Sequence, residues 1–130
     1  MASGDIKDVE NCIVMTVISA SAVAVGDVVH LVIASGKWAT CTTSDPGKLG
    51  VALDAASGVD ITIRVLVWGE VEVKATAAVI AKGALVVAGT TGFVVDAGTL
   101  SATTVVGTIL GTAMTAFASG GQGIIFVGLM

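Results

Sequence analysis

From Val59 to Val67 every odd position is apolar (Val59, Ile61, Ile63, Val65, Val67), while the even positions begin Asp60, Thr62, Arg64. A period of two sends successive side chains to opposite faces of a strand, so this run predicts a strand with its odd residues on a core. Trp68-Gly69 predicts a turn into Glu70-Val71-Glu72-Val73-Lys74, which alternates just as strictly. Further strands are expected over Cys12–Ile18, Val28–Ala34, Lys37–Thr40, Gly50–Leu53, Ala84–Ala88, Gly92–Val95, Thr108–Met114 and Gly123–Val127. Turn chemistry separates them at Val25-Gly26-Asp27, Ser35-Gly36, Ser44-Asp45-Pro46-Gly47, Gly89-Thr90-Thr91-Gly92 and Ser119-Gly120-Gly121. Thr76–Lys82, stopped by Gly83, reads as a short helix. Many short strands with frequent turns predict an all-β fold, a small barrel or sandwich of antiparallel strands with at most one short helix.

The pattern also repeats. Leu49-Gly50-Val51-Ala52-Leu53 resembles Leu110-Gly111-Thr112-Ala113-Met114, and both continue through an alanine, Ala55 or Ala116. Upstream, Gly26-Asp27-Val28-Val29 corresponds to Gly83-Ala84-Leu85-Val86, each followed by a turn glycine, Gly36 or Gly92. The offset drifts from 57 to 61 residues, which predicts two related halves with insertions, about 9–74 and 75–130, within one β domain spanning 9–130. Short matches also arise by chance in a chain so rich in Ala, Val and Gly.

Composition narrows the function classes. Val, Ile and Thr number 22, 10 and 14, over a third of the 130 residues, and these β-branched types suit a pleated surface. Hydrophobic residues make up 55% and charged ones 12%, against the roughly 25–35% charge of a soluble surface, so something else should cover part of this one. Six Lys+Arg face ten Asp+Glu, net −4, with no basic cluster to neutralise phosphates; no nucleic-acid partner is expected. The 34 residues after Asp96 carry no charge, and Leu100–Ala118 approaches the length of a membrane span. Its Ser101, Thr103, Thr104, Thr108, Thr112 and Thr115 and its lack of basic flanks argue against one. The polar, acidic start Met1-Ala2-Ser3-Gly4-Asp5 is no secretory signal, so synthesis in a cytoplasm is expected. Cys12 and Cys41 read as buried, reduced thiols; a bridge between them is possible in principle.

Candidate chemistry is thin. The one histidine, His30, sits inside an apolar strand and reads as a residue with a local hydrogen-bond partner. No GxSxG occurs, and Ser35-Gly36-Lys37 and Pro46-Gly47-Lys48 lack the upstream glycine of a phosphate-binding loop. Asp54 and Asp60 flank a loop as turn caps, and Glu70 and Glu72 share a solvated strand face with Lys74. No enzyme activity, cofactor or metal is expected.

Contact surfaces are the better target. The outward row Asp60, Thr62, Arg64 continues with Leu66 and Trp68, which predicts a contact surface there; alternatively Trp68 folds over a barrel end. Gly123–Met130 is apolar on both faces, which a strand tolerates only when both are covered, so Ile124, Ile125, Phe126 and Val127 are expected against a neighbouring subunit or coat. Trp38 is a weaker candidate, since hairpins often pack an aromatic into the core. Residues 1–8, with Ile6, form either a disordered tail or an arm that adds a strand to a neighbour.

Val25-Gly26-Asp27-Val28-Val29, Lys48 to Gly58, Ile61-Thr62-Ile63-Arg64-Val65, Gly69-Glu70-Val71-Glu72-Val73, Lys82-Gly83-Ala84-Leu85-Val86 and Gly92-Phe93-Val94-Val95 together resemble tailed-phage capsid cement, or decoration, proteins. The resemblance covers roughly residues 9–130 and departs in the uncharged C-terminal third. It implies a non-catalytic virion protein on the capsid exterior that binds the major capsid protein and reinforces the head, most often as a homotrimer. A self-assembling tail-tube or spike-type β module is the alternative. A ligand-binding barrel is disfavoured, because few polar groups could converge in a pocket.

Overall fold

The two alternating runs around Trp68-Gly69 join into one 13-residue strand, β5 (Thr62–Lys74), in a computed structural model that describes residue 4 and residues 12–41, 49–76, 78–89, 92–97 and 109–128. The expected turn is a change of partner instead. Residues up to Trp68 pair with β1 (Ile13–Ile18), and from Gly69 onward the strand pairs with β9 (Gln122–Val127). Nothing local separates the two outcomes, since a glycine serves a turn or a tight strand crossing equally well. The start of the expected strand also shifts. Asp60 adopts φ +64 in a turn, and Val59 and Ile61 are exposed there.

The remaining strands are β2 (Val28–Val32), β3 (Lys37–Thr40), β4 (Leu49–Ala52), β6 (Leu85–Ala88), β7 (Val94–Asp96) and β8 (Ile109–Ala113), and all strand pairs are antiparallel. Their order is β3-β2-β4-β5-β9-β8-β6-β7, with β1 on β5. Among the described residues the result is two curled five-stranded sheets, β3-β2-β4-β5-β1 and β7-β6-β8-β9-β5, that share β5. In each, a single parallel bridge draws the first strand toward the third, Ser19 to Trp38 and Ala75 to Val94. The all-β expectation holds, and the described residues contain no α-helix.

Registers match position by position between the sheets. Val28, Val51 and Leu66 stand abreast on β2, β4 and β5, as Leu85, Thr112 and Phe126 do on β6, β8 and β9. Met15 and Val17 oppose Val65 and Ile63, as Val71 and Val73 oppose Ile125 and Gly123. Gly26 and Gly83 both take φ +88, a conformation that costs glycine little, and each donates its N–H at 2.8 Å, to the Ala52 and Ala113 carbonyls.

The same correspondence corrects the expected helix. Ile80 exchanges both backbone hydrogen bonds with Phe117, as Val23 does with Ala56, so the chain around Ile80 closes the end of its sheet as a plug. Burying Ile80 there outweighs the helical preference of its alanine neighbours.

One core fills the first sheet: Val17, Val29, Trp38, Ala52, Ile63 and Val65, closed by Val23 and Ala56. The second sheet encloses Val73, Val86, Val94, Ala113 and Ile125, closed by Ile80 and Phe117. Into this second cluster pack Val28, Cys41, Val51, Leu53 and Leu66, from the outer face of the first sheet and its flanks. Each fully buried aliphatic side chain contributes about 1.5–3 kcal/mol.

Candidate assembly surfaces

The contact residues expected from sequence divide sharply. Leu66 and Ile125 are fully buried and Val127 nearly so, inside the chain's own core, and they are withdrawn as surface contacts. For Leu66 the reason is the packing of one half on the other: the even row of β5 is an outer face only with respect to the first sheet. For Ile125 and Val127 it is simple alternation, since they face inward on β9. Ile124 and Phe126 point the other way and are partly exposed, opposite Glu72 and Glu70 on β5. Trp68 is also partly exposed and meets Phe126 edge-on, with ring centroids 5.0 Å apart and an 87° interplanar angle. This geometry suits the ring quadrupoles and fixes both aromatics at one site. Gly128 fits beneath, where an added Cβ would sit 2.7 Å from Trp68 Cζ3. Trp38 lies in the first core, and Ile6 lies outside the described residues.

Sequence reasoning missed a second surface. On β1, Ile13 is 56% exposed and Val14, Met15 and Ile18 are close to 40%, while Ile33 at the β2–β3 hairpin reaches 82%. The signal was present, because Ile13-Val14-Met15-Thr16-Val17-Ile18 is apolar on both faces, as β9 is.

The polar groups read as local braces. Arg64 grips Asp54 through Nε and Nη2 at 3.0 and 2.9 Å and adds a backbone N–H, which holds the Asp54 carboxyl below its ordinary value. Lys37 pairs with Asp60 at 2.6 Å. Both pairs are solvent-exposed and stabilise little. His30 is partly exposed on β2, and Cys12 and Cys41 form no disulfide; Cys41 is fully buried and Cys12 only partly. Among the described residues no three His, Cys, Asp or Glu side chains gather as a metal site, and no helix is long and apolar enough to cross a membrane. Within the Leu100–Ala118 stretch, Ile109–Ala113 is strand β8.

Two carboxylates depart from this: Glu72, expected on a solvated strand face, is buried at 6% exposure, and Asp27 is half-buried beside an open groove lined by Val25, Lys74, Phe93 and Gln122. The Asp27 carboxylate accepts from the Ala24 N–H at 3.0 Å and the Thr40 hydroxyl at 3.2 Å, yet burial outweighs both and raises its pKa above the ordinary 3.8. A raised carboxyl pKa means the folded chain binds the proton more tightly than the unfolded chain. This group therefore favours folding at low pH, and the advantage is lost as pH rises through the folded-state value. Asp27→Asn keeps an acceptor and removes the buried charge. It should raise Tm at pH 7, with the gain shrinking at acid pH, as the wild-type carboxyl takes up its proton. Thermal melts of both proteins at pH 7 and at acid pH check this, and a variant less stable at pH 7 would show that the two hydrogen bonds need the full charge.

No known family model matches the chain, and no curated protein does. Among solved structures, it is similar to the N base of the head fibre protein gp8.5 of bacteriophage phi29, with a TM-score of 0.62 at 14% identity, over 90% of this chain and 94% of that one. At that identity the likeness shows a shared fold.

Proposed function

We propose that this chain is a non-catalytic structural component of a phage virion, which binds the outer surface of the head as an oligomer, a trimer, and reinforces the coat by contacting several major capsid protein subunits. The observation that carries this reading is the fold shared with a phage head-fibre base along nearly the whole chain. The apolar exposure on β1, with the partly exposed Trp68–Phe126 pair, supports it as area left for protein contacts. An oligomer on a shell that repeats its sites gains avidity from modest contacts. The reading predicts that purified protein cosediments with expanded phage heads and raises their resistance to heat. Protein left entirely in the supernatant, with the melting of the heads unchanged, would refute it.

A further inference from the structure

The two halves use equivalent faces differently, and the difference is systematic. Val28, Val51 and Leu66, on the outer face of the first sheet, are fully buried in one cluster with the second core. Their register equivalents Leu85, Thr112 and Phe126 are partly exposed, as is Met114, the equivalent of the buried Leu53. On the inner face the order reverses. Val71, Ala88 and Val127 are at most 2% exposed, whereas at the same places in the first half Met15 is 38% exposed and Leu31 and Val67, at the edge of the first core, are only partly buried. Within the chain, then, the outer face of one unit and the inner mouth of the next bury each other. A head-to-tail contact between equivalent units leaves one surface of each kind unused at the two ends.

We propose that these two unused surfaces meet between copies: the outer face of the second half, centred on Leu85, Met114 and Phe126, seats on the open mouth formed by Met15, Leu31 and Val67 of another copy of this chain. The proposal rests on the oligomeric reading above and specifies its contact. A second copy is the occupant because the exposed face offers the same backbone positions that already fill the equivalent mouth inside the chain, and both surfaces are apolar. Glu70, paired across from Phe126, corresponds to Val14, which stays exposed in the first half, so its carboxylate falls at the rim of the contact. Such an interface is heterologous, and it closes into a ring if the rotation per copy allows.

The test separates this geometry from oligomerisation in general. Leu85→Glu spoils the face and Met15→Glu the mouth; both positions are partly exposed, and Met114→Glu and Leu31→Glu stand in for either variant that melts well below the wild type. By light scattering the wild type should exceed the 12.8 kDa of one chain, and each variant alone should fall to it. An equimolar mixture of the two variants should return to a 1:1 complex of twice that mass, because one face and one mouth remain intact between them. Variants that keep the wild-type mass, or a mixture that stays monomeric while the wild type oligomerises and binds heads, would overturn the head-to-tail contact alone. A monomeric wild type would overturn the oligomeric reading with it.

Discussion

Gly111→Ala is expected to destabilise the protein by about 3 kcal/mol or more, lowering Tm on the order of 10 °C, whereas Gly58→Ala should leave it almost unchanged. Gly111 lies on β8 against β9, where an added Cβ would overlap the carbonyl oxygen of Phe126 and come within 3.1 Å of the Val127 Cα. These are backbone atoms and cannot rotate aside, so relief requires separating the strands and losing the pairs Gly111–Val127, Thr112–Phe126 and Ala113–Ile125. Gly50, its equivalent on β4, would meet the Leu66 carbonyl oxygen at 2.7 Å and a Val65 methyl. Gly50→Ala should therefore be costly too, though somewhat less, because the methyl can move. Gly58 has nothing within 4 Å of the added atom. Thermal melts of the three variants decide the matter, and a Gly111→Ala protein melting with the wild type would mean the strands stand farther apart than described.

Those two glycines are also what made the fold legible. The Leu-Gly-x-Ala signature at 49–52 and 110–113 marks the strand that must approach its neighbour most closely in each half, so close packing leaves a trace in sequence. Strand positions follow from alternation for the same reason: one face is buried and its register is pinned. Alternation fails where burial has two sources. Leu66 lies on a row that begins Asp60, Thr62, Arg64 and reads as solvated, and only the seating of one half on the other covers it. The helix expected at 76–82 rested on local preference, while Ile80 answers to Phe117 almost 40 residues away. On the candidate surface, Phe126, Ile124 and Trp68 were legible as apolar residues in excess. Met15 shared the signal of a β1 apolar on both faces, but Leu31 was not legible, because its equivalent Ala88 is core and a sequence shows no difference between a mouth that is filled and one that is not.

Phe117→Ala should cost about 3–5 kcal/mol, and Gly123→Ile should be strongly destabilising, yet the double variant should recover most of the combined loss. Phe117 closes the second core with its ring against Gly123, where a Cβ would fall 2.7 Å from Cε1. The first half solves the same problem in reverse: Ala56 stands where Phe117 does, and Ile63, where Gly123 does, is fully buried. Volume has been moved from the strand to the plug, and the two positions share one space. Coupling near the upper end of the usual range, about 2–3 kcal/mol, is therefore expected from a double-mutant cycle on Tm or denaturant midpoint. Recovery should stop short of complete, because Trp38 of the first core is replaced by Val94 in the second and the new isoleucine meets a smaller neighbour. Additive losses would mean that Phe117 and Gly123 occupy separate space and that the halves share a register without sharing a packing plan. Both residues face inward, away from Leu85 and Phe126, so a rescued double variant should keep the wild-type oligomeric mass, and a change of stability without a change of assembly would set the core apart from the docking face on β6, β8 and β9.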